Sequence, residues 1–479
     1  MLQNKDIQNI DELQAFLVKP QKSIDIILDL LGYFHFNKLS KSFDVLKAKG
    51  FSVSELLNVL ICLPFVNKAN IYSLLRSGMA DISKAQKDAY YDLKNNVSVD
   101  WRLFLKKFTI KFNTIIKEKT SDNTERVKCL ILDDSDIEKS GKKIEKVGRI
   151  WNHVRQMSIF GFKLLLLGYY DSKSFIPVDF SVHREKGKNK KLPFGLKKTQ
   201  LRKQFSKKRS VESPAYYREK ECDQSKLKIG IKMIRKAVKH LQVDYLLMDS
   251  WFTCHEMIKT ALSCKTHLVG MMKMGNALYR VDQKELNAKQ ILAGKPKVRR
   301  CRKHKLHYIS QQVNYKGTDL QLFFCKQGKN GNWHLIITTD QKLSFLKALE
   351  VYQIRWTIEV FFKECKQYLN LAGCQSNDFD GQIAHFTICM VQYTLLALKK
   401  RVEDYETHGL LYDHLVENIF ETTLWQRIWH LFLLAVIEIA QMFNINPFAF
   451  VLELINHPKM QQLLNAYQHI LSNDEKIAT

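Results

Sequence analysis

The stretch VYQIRWTIEVFFKECKQYL, residues Val351–Leu369, decides how the rest of the chain is interpreted. Its apolar residues recur at steps of three and four, which predicts an amphipathic helix with one face in a core. At about 100° per residue, Tyr352, Arg355, Glu359 and Lys366 fall within an arc of about 60° beside the apolar stripe. A hydroxyl, a guanidinium, a carboxylate and an ammonium group therefore share one narrow ridge. A solvated helix edge, with Arg355 paired to Glu359, is the alternative.

The net charge of the chain points to a polyanionic partner. Its 479 residues include 75 Lys and Arg against 48 Asp and Glu, a formal charge of +27. Solubility requires far less, so we expect nucleic acid as the partner, with an anionic membrane surface as the second candidate. The apolar run at residues 431–437 is too short to span a bilayer, and the N-terminal residues do not resemble a signal peptide. We therefore expect a cytoplasmic, nucleoid-associated protein with no membrane partner.

Length and cysteine usage limit the class of protein further. A hydrophobic content of 46% over 479 residues allows two or three domains with large cores. The ten cysteines contain no CxxC pair, which argues against a zinc ribbon and does not suggest a disulfide framework. We expect most of them to be reduced core residues.

Residues 1–120 are predicted to be helical. Ser52-x-x-Glu55 is a capping-box pattern ahead of an apolar run, and residues 101–115 form a second amphipathic pattern with lysines on its polar side. The basic helix faces favour DNA contact. An ordinary helical cap on a larger domain is an equal alternative.

From about residue 126 the pattern changes from helices to strands. The apolar run at residues 127–132 predicts a buried strand that ends at Asp133. Residues 162–170 and 175–182 follow as two more strands, so the three should form an antiparallel meander. In the last strand apolar and polar residues alternate, which predicts one more exposed face.

A βαβ pattern follows between residues 224 and 272. A helix at 224–241 leads into a strand at 243–248, and this strand also ends in an acid, Asp249. A helix at 255–264 and a strand at 267–272 complete the pattern.

Two later segments are strongly basic. Gly187–Ser210 contains ten Lys or Arg and no acid, which predicts a mobile strip along a phosphate backbone, with a solvated linker as the alternative. The second, residues 295–305, has seven Lys or Arg in eleven positions. It lies within residues 274–342, where turn signals at Lys316-Gly317 and Asn330-Gly331 between short strands predict a β-rich insertion. Residues 401–479 are predicted to be helical again.

Three carboxylates stand at positions suited to chemistry: Asp133 and Asp249 after strands, and Glu359 on the ridge. Strand ends of an open sheet face a crevice. Phosphodiester hydrolysis or transfer needs about two divalent cations roughly 4 Å apart, and carboxylates are the oxygen ligands that Mg²⁺ prefers. Arg355 could hold a phosphate in two hydrogen bonds, and Lys366 and Tyr352 add donors. Any one of these acids alone is better interpreted as a cap or a surface charge.

The spacing Y-x2-R-x3-E-x6-K of the ridge resembles the signature of bacterial insertion-sequence DDE transposases of the cut-and-paste, Y-R-E-K type. Asp133 in LILDDSD and Asp249 in YLLMDSWF resemble the two aspartates of that family. A D-x-[ST] pattern selects Asp133 with Ser135, whereas a shifted register would select Asp134. Only one of the two neighbouring aspartates can face the site if the strand continues. We select Asp133.

The resemblance covers about residues 125–400 and implies an α/β fold. It implies an RNase H-like core at 121–273 and 343–400, interrupted by the β-rich insertion at 274–342. Residues 1–120, as a DNA-end-binding region, and 401–479 would flank it as helical regions. Asp133, Asp249 and Glu359 would hold two Mg²⁺ or Mn²⁺ ions. The implied partner is double-stranded DNA, both element ends and target, held by a homodimer.

The resemblance also implies roles for two tryptophans. In relatives with this signature a DNA hairpin can form on the element end, and an aromatic residue accommodates a flipped base. Trp356 matches one family tryptophan, and Trp333 lies where an insertion-domain tryptophan is expected, with a core role as its alternative.

The leading hypothesis is therefore a transposase that cleaves the ends of its own element and joins the 3′-OH to target DNA. A basic DNA-binding protein that keeps the fold without the chemistry is the alternative. A two-carboxylate glycosidase fits the acids but leaves the charge unexplained.

Overall fold

The computed structural model describes residues 22–44, 50–77, 82–119, 127–187, 189–328 and 330–403, with short stretches between 442 and 462. The chain divides into two compact units. One comprises Met1–Ile26, Phe65–Asn67 and Asp413–Thr479, and its described parts are short, mostly helical stretches. The other, Ile27–Pro64 with Lys68–Tyr412, holds the whole sheet. Most of the predicted helical region 401–479 lies outside the described residues.

The described residues before the sheet are mainly helical, in line with the helices expected there. The helices are α1 (Lys22–Tyr33), α2 (Phe36–Asp44), α3 (Val53–Cys62), α4 (Ile71–Leu75), α5 (Lys87–Lys94) and α6 (Trp101–Lys119). The predicted capping box is confirmed at the start of α3, where the Ser52 hydroxyl accepts from the Glu55 N–H and the Glu55 carboxylate accepts from the Ser52 N–H. Helix α6 buries the apolar face that its pattern predicted, including Phe104, Phe108 and Phe112.

One mixed sheet runs through the larger unit. Its strands are β1 (Cys129–Glu138), β2 (Gly148–Asn152), β3 (Met157–Tyr170), β4 (Phe175–His183), β5 (Tyr245–Met248), β6 (His267–Met272), β7 (Leu278–Val281), β8 (Lys284–Asn287), β9 (Arg299–Cys301), β10 (Leu306–Tyr315), β11 (Thr318–Gln327) and β12 (His334–Thr338). The later helices are α7 (Lys198–Arg202), α8 (Pro214–Glu221), α9 (Lys226–Ala237), α10 (His255–Ser263), α11 (Ala288–Ala293), α12 (Phe345–Gln353), α13 (Trp356–Gln367) and α14 (Phe379–Glu403).

The predicted antiparallel meander is confirmed in β1, β3 and β4. Strands β5 and β6 run parallel to β1, which gives the order β4-β3-β1-β5-β6. The sequence pattern missed β2, which pairs with the start of β3, because its five residues include Arg149 and Asn152 and form no apolar run. The fold is thus a mixed α/β architecture with helices flanking a large sheet.

The exposure expected along β4 is wrong, since every residue of this strand is buried. Helix α6 covers it from one side, where the Thr109 hydroxyl donates to the Pro177 carbonyl at 2.9 Å and Arg102 donates to Asp179 at 2.8 Å. Helix α14 also packs on it, with the Phe386 ring centroid 6.3 Å from that of Phe180. Polar residues of β4 are therefore buried in contacts with helices and do not mark an exposed face.

Strand β1 extends beyond the predicted end at residue 132. It continues through Asp133 to Glu138 because all ten of its residues pair with β3. The predicted site aspartate Asp133 is therefore a strand residue, with side chains on alternate faces before and after it.

The strands within residues 274–342 extend the core sheet. Strand β12 pairs antiparallel with β6, and β11, β10, β7 and β8 follow in order. The predicted turn at Lys316-Gly317 is confirmed as a two-residue loop between β10 and β11, with φ values of 51° and 82°. Positive φ at both positions suits the twist of a hairpin.

The stretch Val351–Leu369 is two helices, α12 and α13, rather than the single predicted helix. Between them the N–H groups of Ile354 and Arg355 bond three residues back, to Val351 and Tyr352. The Thr357 hydroxyl donates to the Ile354 carbonyl at 2.8 Å, a contact that competes with helical bonding. The break places Arg355 immediately before α13.

Helix α14 is long and apolar enough to cross a bilayer by length and composition, but 94% of that stretch is buried inside the protein. Such burial is expected of a core helix.

Candidate active site

Two adjacent parallel strands bring the predicted aspartates together. In the pairing of β1 with β5, Leu132 lies opposite Met248. Asp133 is the next residue of β1 and Asp249 directly follows β5, so both lie at the carboxyl end of this parallel pair. The local turn fixes Asp249, whose Oδ1 accepts the N–H groups of Trp251 and Phe252 at 2.9 and 3.1 Å.

Arg355 links the third predicted carboxylate, Glu359, to Asp133. Its Nη1 donates to Asp133 Oδ2 at 3.0 Å, and its Nη2 donates to Glu359 Oε1 at 2.5 Å. The guanidinium carbon lies 5.7 Å from the centroid of the Tyr352 ring. Arg355 Nε is buried and has no hydrogen-bond partner within the described part of the chain. Arg355, at the break between α12 and α13, thus contacts two carboxylates that are far apart in the sequence, Asp133 and Glu359.

The charge of Asp249 acts on Asp133. Burial and, after it, the nearby Asp249 charge raise the pKa of Asp133 to about 7, against the opposing effect of Arg355. The Asp134 N–H also opposes the shift by donating to Asp133 Oδ1 at 2.8 Å. Burial likewise raises the pKa of Tyr352, and both aspartates contribute to that rise. The pocket therefore holds more negative charge than Arg355 neutralises.

The neighbouring aspartate Asp134 faces another partner. Its Oδ2 lies 3.1 Å from Lys226 Nζ, at the start of α9, and the same ammonium lies 4.1 Å from the centroid of the Trp251 ring. Strand alternation separates the two carboxylates. The structure thus directs Asp133 to Arg355 and Asp134 to Lys226. The choice of Asp133 as the site residue stays a prediction with this geometry in its favour.

Lys366, in the last turn of α13, contacts a residue of β1 that follows Asp133. Its Nζ donates to Ser135 Oγ at 2.7 Å, and burial lowers its pKa. The next residue, Asp136, forms an ion pair with Lys163, whose side chain is only 6% exposed. Sequence reasoning missed Lys163, although a single lysine inside the apolar run of β3 was a usable signal.

The two tryptophans lie next to different elements of the fold. Trp356 follows Arg355 directly and is 62% exposed. Trp333 immediately precedes β12 in the insertion, where Lys326 Nζ lies 4.9 Å from its ring centroid. The geometry leaves Trp356 accessible beside the ridge, and both DNA-binding roles stay predictions.

Residues 220–395 match the family model of the transposase DDE domain. This stretch is similar to the transposase DDE domain. The resemblance to insertion-sequence DDE transposases is thereby confirmed, while the Y-R-E-K subtype stays a prediction. The matched part includes Asp249 and the entire ridge, whereas Asp133 precedes it. A comparison with curated proteins gave no match.

Transposase DDE domains generally use divalent metal ions. In the described part of the chain, no group of three or more His, Cys, Asp or Glu is arranged to hold one. The donor chemistry nevertheless fits, because Asp133 and Asp249 are neighbouring oxygen ligands with uncompensated charge. The guanidinium of Arg355 lies between Asp133 and Glu359 and supplies a positive charge to both carboxylates. Carboxylate oxygens of this kind are the ligands that Mg²⁺ and Mn²⁺ prefer.

Proposed function

We propose that this transposase binds the ends of its own insertion sequence, cleaves them, and joins the freed 3′-OH to target DNA. In the cleavage step a water oxygen attacks the phosphorus, the bond from phosphorus to O3′ breaks, and the 3′ oxygen takes up a proton. In the joining step the 3′-OH attacks a target phosphorus and displaces a target 3′-OH. A homodimer holding two double-stranded ends completes the proposal.

The observation that carries this proposal is that Asp133 lies beside Asp249 at the carboxyl end of β5 and shares Arg355 with Glu359. Arg355 contacts Asp133 and Glu359 with separate nitrogens. An arginine that binds carboxylates with two separate nitrogens can bind a phosphate in the same way. In the proposed complex Arg355 exchanges a carboxylate for the substrate phosphate, and Tyr352 and Lys366 flank it.

The strand arrangement supports an RNase H-like core. The three antiparallel strands β1, β3 and β4 continue into the parallel strands β5 and β6, and the central pair β1 and β5 carries the two aspartates. We propose that Asp133, Asp249 and Glu359 hold two Mg²⁺ or Mn²⁺ ions. When bound, such ions activate the attacking oxygen and stabilise the leaving oxygen.

A nicking assay on the DNA that borders the gene tests the proposal. We expect strand nicks at the element boundaries with Mg²⁺ and none after chelation by EDTA. Glu359→Gln should abolish cleavage but keep DNA binding, because it removes one metal ligand and retains the side-chain volume. Glu350→Gln is the matched control, since Glu350 lies on α12 and pairs with Lys303 at an exposed position.

Two results would oppose the proposal in different ways. Full cleavage by the Glu359→Gln protein would remove Glu359 from the site. A wild-type protein that binds the boundary DNA without nicking it in Mg²⁺ or Mn²⁺ would favour the inactive DNA-binding alternative.

A further inference from the structure

The basic segment Gly187–Ser210 is anchored by buried ion pairs rather than free along its length. Arg209, whose side chain is 3% exposed, places Nη2 2.7 Å from Glu145 and Nε 3.1 Å from Asp380. Lys207 Nζ lies 2.8 Å from Asp378 and 3.0 Å from Asp380. The expectation of a mobile strip is therefore wrong for this end, because two of its cations bind the loop before β2 and the start of α14.

The middle of the segment packs against the base of the β2–β3 hairpin. Gly195 has a φ of 70°, and a Cβ there would lie 2.6 Å from Arg149 Cβ. Phe194 is held beside Gly148, where an added Cβ would come within 3.2 Å, and the Arg184 guanidinium carbon lies 3.4 Å from the Phe194 ring centroid. Segment and hairpin therefore form one continuous surface, which we call the hairpin surface.

The other described cations of the segment face solvent. They are Lys190, Lys191, Lys197, Lys198, Arg202, Lys203 and Lys208. On the N-terminal side of the segment the nearest acid in sequence, Glu185, accepts the Trp151 N–H at 2.8 Å. A polyanion from outside is the partner that this charge fits.

The tip of the hairpin exposes three apolar side chains. Trp151, Val154 and Met157 are 40%, 92% and 51% exposed, and the tip also carries Arg155, which pairs with Glu138 at 2.9 Å. Apolar side chains at the end of a protruding hairpin, next to dense positive charge, match the wedges that some proteins insert between base pairs.

The hairpin surface adjoins the candidate active site through β1. Asn152 Nδ2 donates to Asp136 Oδ2 at 3.0 Å, and the neighbouring Ser135 accepts from Lys366 of the ridge. A DNA strand that leaves the ridge along β1 therefore reaches the hairpin.

We propose that the hairpin surface binds duplex DNA outside the catalytic pocket. The exposed cations of the segment contact phosphates, while Val154 and Met157 insert between base pairs and bend the duplex. This inference rests on the proposed function and adds where the DNA lies beyond the scissile bond.

Salt-dependent binding tests the phosphate contacts. The full chain is titrated with a fluorescent duplex of mixed sequence in EDTA, so that no cleavage occurs, over a series of NaCl concentrations. Replacing Lys190, Lys191, Lys197 and Lys198 by Gln should lower the slope of log K against log[salt] by about 2–4, since each phosphate contact contributes about 0.9. Lys207 and Arg209 are left intact to preserve the anchor.

A matched variant separates this surface from the overall charge. Replacing Lys228, Lys232 and Lys236 of α9, together with Lys239 just after it, by Gln removes the same charge from exposed positions elsewhere. We expect this variant to keep the wild-type slope. Equal slopes for the segment variant and the wild type, with unchanged thermal unfolding, would overturn the proposal, as would equal losses in both variants.

Duplex bending tests the apolar tip. With donor and acceptor dyes at the two duplex ends, wild-type binding should raise energy transfer. Val154→Ser combined with Met157→Ser should abolish that rise and keep the salt slope. Bending by this variant equal to that by the wild type would contradict the wedge. A wild-type chain that binds no duplex at any salt concentration would instead contradict the proposed function itself.

Discussion

Two arginines in this chain each bridge a strand aspartate and a helix glutamate, and they differ in how completely they are bound. Arg102 donates from Nε to Asp179 of β4 and from both terminal nitrogens to Glu221 of α8, each at 2.8 Å. Arg355 donates one bond each to Asp133 of β1 and Glu359 of α13 and leaves Nε without a described partner. The two clusters contain the same residue types. All three guanidinium nitrogens of Arg102 bind carboxylates, whereas only two of those of Arg355 do.

The charge balance of the two clusters explains their different roles. A second arginine, Arg218, lies 3.7 Å from Glu221 and 4.0 Å from Asp179, so two cations face two carboxylates. Burial would raise the pKa of Glu221, but Arg102 more than offsets it, and the net shift is downward. At the candidate active site Arg355 contacts two carboxylates, the charge of Asp249 acts on Asp133 as well, and the pKa of Asp133 rises to about 7.

The contrast separates a structural ion cluster from a candidate catalytic one. The Arg102 cluster neutralises itself and ties α6, β4 and α8 together. The Arg355 cluster leaves negative charge at the edge of the sheet, and Glu359 is 37% exposed, so cations from solution can reach it. Incomplete neutralisation next to solvent is what a metal-dependent site requires, and perturbed carboxylates are more frequent at such sites.

The largest expected effect is the loss of stability in Arg102→Ala. Removing one partner of a buried pair leaves uncompensated charge, which costs about 3–5 kcal/mol of unfolding free energy. Urea unfolding followed by circular dichroism measures the change, and Arg102→Lys should lie between the variant and the wild type. A loss no greater than that of Arg355→Ala would break the comparison.

Arg355→Ala should chiefly affect cleavage. Loss of the phosphate contact misplaces the scissile bond, for which a decrease in rate of about 100-fold is typical. The unfolding free energy should change less than in Arg102→Ala, because the remaining carboxylates can be neutralised by ions from solution. Single-turnover nicking with Mg²⁺ measures the rate, with Arg355→Lys as the charge-preserving control. Unchanged product yield would exclude Arg355 from substrate positioning.

The smallest expected effect is a pH-dependent loss of stability in Glu221→Gln. The folded-state pKa of Glu221 lies below its unfolded value, so the ionised carboxylate stabilises the fold above about pH 4.3 and loses this contribution in stronger acid. We expect the variant to be about 1–3 kcal/mol less stable than the wild type near neutral pH. The difference should shrink as the pH falls through the folded-state pKa. Urea unfolding at several pH values measures it, and a constant difference would contradict the sign.

Local sequence pattern predicted most of the elements around the site. Apolar runs located β1, β3, β5 and β6 because buried strands must be apolar whatever their neighbours are. The same reasoning located β4 but wrongly expected one of its faces to be exposed, because its polar residues bind helices distant in sequence. It missed β2, which has no apolar run. It also predicted one helix in place of α12 and α13. Apolar periodicity does not reveal that the Thr357 hydroxyl donates to the Ile354 carbonyl.

The sequence by itself determined the charge, the residue types of the ridge and the two acids that follow apolar runs, because composition and period are properties of the chain. Only the tertiary structure decided that Asp133, rather than Asp134, faces Arg355, and that Arg102 and Arg355 belong to different kinds of cluster. The physical reason is that strand register and burial depend on distant partners. A carboxylate's role is set by how much opposite charge the fold gathers around it.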